Sequence, residues 1–234
     1  MQIAIDGPAG AGKSSVAKEV ARSLGLKYLD TGAMYRAITL KALREGVDLN
    51  DNKALVELVR SSHLDIKNDE KRGNLVYLDG EDVSVSIRSP AVNANVSVVA
   101  KSPALRKELV LIQKKIAEES NGIVMEGRDI GTNVIADADY KFFLLADLEE
   151  RARRRWLELK EMKMELPLED LLKQIAMRDR IDQERKDSPL KIAPDAVVID
   201  TTFFTLNEVI NKVLSVINNH KTDQVCQAER DEGC

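Results

Sequence analysis

The sequence predicts an α/β protein: a five-stranded parallel sheet with one inserted subdomain and one charged helical arm. Three observations predict it. An apolar run, Ile3-Ala4-Ile5, leads through a glycine-rich loop into the helical pattern Val16, Ala17, Val20, Ala21 and Leu24, which is the order strand, turn, helix. Two later runs, Gly122-Ile123-Val124-Met125-Glu126 and Tyr140-Lys141-Phe142-Phe143-Leu144-Leu145, are almost continuously apolar, as strands buried on both faces are. Between these landmarks the chain turns to short alternating segments separated by glycine turns, which argues for a small antiparallel meander.

The glycine loop is Gly7-Pro8-Ala9-Gly10-Ala11-Gly12-Lys13-Ser14, a G-x-x-x-x-G-K-S string in strand–loop–helix context. Its backbone N–H groups can converge on phosphate oxygens, and the following helix adds its positive dipole end. Lys13 supplies a mobile charge near the β- and γ-phosphates, and Ser14 a hydroxyl for Mg2+. Gly25 stops the helix, and Lys27-Tyr28-Leu29 reads as a second strand. Asp30-Thr31-Gly32 follows at its carboxyl end, where ligands gather in open α/β sheets.

A helix over about 31–44 carries Met34, Ile38 and Ala42 on one face, and Asp51 N-caps the next, packed through Leu55, Leu58 and Val59. The meander comprises 63–67, 74–78 and 82–87, with turns at Lys71-Arg72-Gly73 and Asp79-Gly80. Ser89-Pro90 and Ser102-Pro103 each read as an N-cap followed by Pro at the first helical position. The second opens a helix with Leu105, Leu109, Ile112 and Ile116 at core spacing. Gly127-Arg128-Asp129 lies just past a strand end. Residues 148–164 form a densely charged helix with Arg151, Arg153, Arg154 and Arg155, and Pro167 opens another that runs through Leu171, Leu172 and Ile175 to Arg185. A last strand covers 196–199. Thr205-Leu206-Asn207-Glu208 is a capping box for a closing helix that buries Val209, Ile210, Val213 and Ile217. Beyond His220 the periodicity lapses, so 221–234 reads as a polar, disordered tail.

A chain of 234 residues, 44% of them hydrophobic, can build a substantial core. The net charge of −4 argues against a general nucleic-acid binder, so basic clusters are local and aimed at something small. No apolar run approaches the length of a membrane span. Met1 opens almost directly into a strand, leaving no room for a secretory signal, so a soluble cytoplasmic protein is expected. Both cysteines, Cys226 and Cys234, lie in the last few residues, which gives neither a disulfide framework nor a cysteine metal site. The two histidines, His63 and His220, are too far apart in sequence to suggest a histidine-ligated metal or a triad.

A nucleoside triphosphate is used by two classes of protein, phosphoryl-transfer enzymes and nucleotide-dependent switches. A guanine-reading switch would want Asn-Lys-x-Asp. The nearest string, Asn52-Lys53-Ala54-Leu55, lacks the carboxylate, and no Asp-x-x-Gly occurs. Arginines instead accumulate near strand ends and over 151–155. Phosphoryl transfer needs such donors around the moving group, so transfer is favoured.

Asp30-Thr31-Gly32-Ala33-Met34-Tyr35-Arg36, with the glycine loop before it and Glu126-Gly127-Arg128-Asp129 after it, resembles the bacterial cytidylate kinase family. Arg178-Asp179-Arg180-Ile181-Asp182-Gln183-Glu184-Arg185 matches that family too. Four separated motifs thus appear in order, and the resemblance spans the first strand to about residue 218. It implies a nucleoside-monophosphate kinase fold. The P-loop core would comprise 1–31, 119–147 and 168–220, a CMP-binding insertion about 32–118, and a short helical lid about 148–167. The implied reaction is transfer of the ATP γ-phosphoryl group to CMP or dCMP with Mg2+, a step of pyrimidine nucleotide metabolism. The implied agent is a cytoplasmic monomer without nucleic-acid or membrane partners.

Carried over position by position, the resemblance implies that Gly7, Pro8, Ala9, Gly10, Ala11, Gly12, Lys13, Ser14 and Ser15 hold the ATP phosphates. Arg36 and Arg128 would grip the CMP phosphate, a role that suits guanidinium forks. Thr31, Ser97, Arg106, Asp129 and Arg185 would surround the cytosine, while Arg178 and Asp182 meet the sugar hydroxyls. Lys13, Arg128, Arg151, Arg154 and Arg155 make the implied catalytic set, the last three as lid donors, and Ser14 the metal ligand. Thr31 departs from the family's more frequent Ser, keeping the hydroxyl but adding a methyl. Glu126 stands where related kinases often carry an Asp near the metal, a candidate for a water-mediated Mg2+ contact.

Each assignment has a plainer rival. Arg36 could be a solvated helix residue, Asp129 a helix cap, and 151–155 an exposed helix laced with salt bridges to Glu149, Glu150 and Glu158. Arg178, Asp182 and Arg185 fall at i, i+4 and i+7, so one helical face presents all three. On a solvated surface they would amount to no more than an i, i+4 ion pair. Tyr35 and Trp156 are expected to pack, and His63 to be a strand residue without a chemical role.

Overall fold

The computed structural model describes residues 1–69, 73–161 and 164–231, with residues 73 and 220–231 described by their backbone alone. In chain order the strands are β1 (Gln2–Asp6), β2 (Lys27–Asp30), β3 (Leu64–Asp69), β4 (Gly73–Leu78), β5 (Glu81–Asp82), β6 (Ile123–Gly127), β7 (Tyr140–Leu145) and β8 (Val197–Asp200). The α-helices are α1 (Lys13–Leu24), α2 (Thr31–Arg44), α3 (Asn52–Ser61), α4 (Pro90–Val99), α5 (Pro103–Glu118), α6 (Leu148–Glu161), α7 (Leu168–Glu184) and α8 (Leu206–Asp231).

Five strands form a parallel sheet in the order β2-β6-β1-β7-β8. The central strand β1 has Ile3 beside Val124 on one side and Tyr140 on the other. Ile3, Ala4 and Ile5, with Ile123, Val124 and Met125, are wholly buried, which explains runs too apolar to alternate. The period of two survives in which core each residue joins. Ile3, Ile5, Tyr28 and Val124 pack with Val16 and Val20 of α1 and Val213 and Ile217 of α8. Ala4, Leu29 and Met125 pack with Met34 and Ile38 of α2, Leu55 of α3 and Leu105 and Leu109 of α5. Each such wholly buried Leu, Ile or Met contributes about 1.5–3 kcal/mol.

The expected caps hold. Asp51 accepts from the N–H groups of Lys53 and Ala54, while Ser89 and Ser102 cap α4 and α5 ahead of their prolines. Thr205 and Glu208 close the reciprocal box that starts α8. The structure differs from the sequence expectation at two elements. The third strand of the meander pairs only at Glu81–Asp82, where 82–87 was expected. Asp82 accepts from the backbone and hydroxyl of Ser84. Ser84 in turn accepts the Val76 N–H, so a local side-chain turn displaces the ladder and a 3-10 turn, Ser86–Arg88, follows. Helix α8 runs to Asp231 where a disordered tail was expected; no Gly or Pro interrupts the chain between His220 and Asp231 to stop it. Residues 232–234, like Lys71 and Arg72 of the expected turn, lie outside the described residues.

Helix α6 does not stand alone: Ala152 and Leu159 pack against Leu171 and Ile175 of α7, with Trp156 at the margin. The small sheet, in the order β3-β4-β5, packs Val76, Leu78 and Val83 on Ala33, Ala37 and Leu40 of α2. Its tie to the main sheet is Asn74, which accepts the Asp30 N–H at 2.6 Å and donates to the Tyr28 carbonyl at 2.7 Å. That clamp fixes the β2 end, where α2 and its arginine begin.

Candidate active site

The loop between β1 and α1 is built around backbone contacts. Gly7 has φ 148°, and a Cβ there would lie 2.1 Å from the Leu144 carbonyl oxygen of β7, so only glycine fits. Lys13, at the first turn of α1, is buried. Its Nζ donates to the Pro8 carbonyl at 2.7 Å, folding the side chain back over the loop. Burial, and next the Arg128 charge, lower its pKa to about 7, while Glu126 and Asp6 oppose the shift. An oxygen-rich anion at this point would restore the proton.

Asp6, at the end of β1, was not singled out in the sequence. It accepts the N–H groups of Ile130 and Gly131 at 2.9 and 2.8 Å and so ties the loop after β6 to the strand that launches the phosphate loop. Burial raises its pKa to about 6 against those two hydrogen bonds. Its signal was a carboxylate placed directly between a wholly apolar strand and the first glycine.

Glu126, at the end of β6, is buried and faces the same place. The Ser14 hydroxyl is near enough to its carboxylate to lower its pKa, and Tyr28 donates to Oε1 at 2.6 Å. Burial, then the neighbouring Asp30, push its pKa up, with Lys13 pulling the other way. A hydroxyl and a carboxylate side by side are oxygen donors of the kind that suit Mg2+. Thr31 donates from Oγ1 to the Glu126 carbonyl at 2.8 Å, so its hydroxyl proton is already engaged.

Beside β6 lies a cluster of arginines held by three carboxylates. Asp30 N-caps α2 through the Ala33 N–H at 3.0 Å and takes Arg36 Nη2 at 2.6 Å, so Arg36 is not a solvated helix residue. Asp182, on α7, takes Arg128 Nε at 2.8 Å, with Arg185 at 3.5 Å. Burial alone would raise its pKa, but Arg128, Arg178 and Arg185 together hold the carboxyl below its usual range. Asp129 takes Arg106 Nη2 at 2.7 Å and meets Arg185 at 3.5 Å. It caps no helix with its side chain, which overturns the cap alternative. Instead it precedes a wide π-type turn, Ile130–Val134, of the sort that recurs at functional sites.

Among the described residues, the buried Nε groups of Arg36, Arg106 and Arg178 have no hydrogen-bond partner. Three unmet donors on three of the anticipated arginines mark a pocket shaped for oxygen acceptors. Burial, then Arg128, bring the Arg178 pKa down to about 10, another sign of cations crowded without enough counter-charge. The i, i+4, i+7 face of α7 is therefore turned inward. Tyr35 packs in the core with the Arg106 guanidinium 5.2 Å from its ring centroid. Ser97 lies half-buried on α4, and α4 packs on α2 and α7.

The arginines of α6 have separate fates. Arg151 is buried and bonds the Ala146 and Ala9 carbonyls at 2.8 and 3.0 Å, with Asp179 of α7 as its ion-pair partner. It braces the phosphate loop against both arm helices. Arg154 donates to the Thr201 carbonyl at 2.6 Å and pairs with Glu150 at 2.8 Å. Arg155 and Arg153 pair with Glu158 and Glu150 on the outer face, so the exposed-helix alternative describes these two and not Arg151. Asp179, unnoticed in the sequence beside Arg178, also meets the Ala9 N–H at 3.4 Å.

Comparison with known proteins bears on this arrangement directly. A family model described as cytidylate kinase matches residues 3–219. A cytidylate kinase of Caldanaerobacter subterraneus subsp. tengcongensis is 53% identical over 225 residues, covering 96% of this chain and 98% of that relative. One of Geobacillus thermodenitrificans is 51% identical over 216 residues, covering 92% and 96%, and one of Geobacillus kaustophilus 49% over 218 residues, covering 93% and 96%. With a parallel sheet, a phosphate loop and an arginine-rich pocket in one continuous match, the chain belongs to the cytidylate kinase family.

Proposed function

We propose that the chain transfers the γ-phosphoryl group of ATP to CMP or dCMP, giving ADP and CDP or dCDP. The observation that carries this reading is the set of buried arginine Nε groups without partners at Arg36, Arg106 and Arg178, gathered beside the phosphate loop in a chain of this family. In the reaction, residues 7–15 cradle the ATP phosphates. Lys13 releases the Pro8 carbonyl and, with its charged form stabilised by the anion it meets, neutralises charge on the transferring group. Arg36 and Arg128 hold the acceptor phosphate in line with the γ-phosphorus, so that the attacking oxygen belongs to CMP and not to water.

Thr31, Ser97, Arg106, Asp129 and Arg185 face the cytosine in this reading, and Arg178 and Asp182 the sugar. Arg154 and Arg155 act as donors when the α6–α7 arm moves over the site. Arg151, already bonded to Ala9, acts by holding the loop in place. Mg2+ would be held by the Ser14 hydroxyl with Glu126 behind it, and when bound it neutralises the β- and γ-phosphates. A panel of CMP, dCMP, UMP and AMP with ATP as donor, read as ADP release, tests the proposal. Turnover with CMP and dCMP supports it; release that is indifferent to acceptor points to a nucleotide hydrolase or switch.

A further inference from the structure

The carboxylate of Asp129 is loaded unequally, and Asn133 is the cause. The turn Ile130–Val134 folds back on itself: the Asn133 N–H bonds the Asp129 carbonyl at 3.0 Å, and the Ile135 N–H bonds Ile130 at 2.9 Å. This brings the Asn133 side chain under the carboxylate. Its Nδ2 donates to Asp129 Oδ2 at 3.0 Å and to Ser188 Oγ at 3.0 Å. A carboxylate here only accepts, so the amide nitrogen, not its oxygen, must face it. Arg106 takes the same Oδ2 at 2.7 Å. Among the described residues, Oδ1 meets only Arg185, at 3.5 Å, and so keeps unused accepting capacity.

We infer that Asn133 is a positioning residue for base choice: it pins Oδ2, with Arg106, so that Oδ1 is presented to the exocyclic amino group of the acceptor's base. This rests on the proposed CMP kinase reading. The terminal torsion of an Asp side chain is broad, and Arg106 at 2.7 Å with only the long Arg185 contact at 3.5 Å would still let the carboxylate pivot. Two donors on one oxygen, one of them tethered to Ser188 across the pocket, fix the plane. Cytosine carries an amino donor where uracil carries an oxygen acceptor. A fixed, buried acceptor therefore admits the first and leaves a lone pair opposed to a lone pair with the second.

Steady-state kinetics with CMP and UMP on the wild type and on Asn133→Ala, Asp129→Ala and the double variant provide the test. Asn133→Ala is expected to lower the CMP/UMP ratio of kcat/KM about tenfold, chiefly through the KM for CMP, with the KM for ATP unchanged. Adding it to Asp129→Ala should change the ratio no further, since the residue acts through that carboxylate. Ser188→Ala, which removes only the second anchor, should give a smaller fall and serves if Asn133→Ala folds poorly. An unchanged ratio in Asn133→Ala, or in Ser188→Ala where Asn133→Ala does not fold, overturns the inference, as does equal loss with CMP and UMP or an additive double variant. A wild type that does not use CMP overturns the proposed function itself; a wild type that prefers CMP alongside an equally selective Asn133→Ala overturns this inference alone.

Discussion

In the proposed reaction the loop between β1 and α1 and the pocket beside β6 both receive phosphate, but they are built from different materials. The loop uses backbone: Gly7 pressed on the Leu144 carbonyl, and Lys13 resting on Pro8. The pocket uses side chains from separated segments, Arg36 of α2, Arg106 of α5, Arg128 after β6, and Arg178 and Arg185 at the end of α7, held by Asp30, Asp129 and Asp182. A backbone site is contiguous and has only one acceptable residue at its tightest point. A side-chain site is assembled by folding, and its charges must be balanced while no ligand is present. The three carboxylates are that balance, and the arginine donors left over are what the ligand would complete.

The largest effect should come from the loop. Lys13→Ala is expected to cut kcat by about 10²–10³-fold or more while circular dichroism stays native, because among the described residues the lysine hydrogen-bonds its own loop alone. Near-normal turnover would break the contrast at its clearest point. Asp182→Ala comes next and should behave differently, harming fold and binding together. It strips counter-charge from Arg128, Arg178 and Arg185, so a loss of about 3–5 kcal/mol in stability should accompany a raised KM for CMP. An unshifted melting temperature would mean the pocket is not charge-balanced in this way.

Arg151 and Arg155 sharpen the comparison within one helix. Arg151→Ala removes contacts to Ala9, Ala146 and Asp179 and should lower stability by about 3 kcal/mol and raise the KM for ATP. Arg155→Ala, on the outer face, should leave stability within about 0.5 kcal/mol and lower kcat alone. Equal melting curves for the two would refute the brace.

Asp6 contributes a pH slope. Its folded pKa of about 6 stands above the ordinary 3.8, so between these values the native state holds the proton more tightly than the unfolded chain. Asp6 therefore makes stability fall as pH rises through that window, by at most about 1.4 kcal/mol per pH unit. Melting temperatures from pH 4 to 7 should show a shallower fall in Asp6→Asn; parallel curves would contradict it.

The same contrast explains what could be read from the sequence. Strands and helices were legible because burial on both sheet faces and capping residues such as Asp51, Ser102 and Thr205 act locally. The loop was legible because its residues are adjacent. Arg36 and Arg128 stood out by their places past strand ends and Arg178 and Arg185 by a shared helical face, but their joint role, and Arg106 altogether, were legible only through the family resemblance. Asp6, Asn74, Asn133 and Asp179 went unread for that reason: each acts on a backbone or side chain distant in sequence or across an unforeseen turn. The lost third strand has a local cause, Ser84 on Asp82, but one that competes with an equally local alternation.

Direct detection of products tests the central claim, that the two sites meet to move one phosphoryl group between nucleotides. With ATP, CMP and Mg2+, phosphorus NMR should show the β-phosphate of CDP growing in step with that of ADP, one for one. Inorganic phosphate appearing with ADP while CMP stays unchanged would contradict the account.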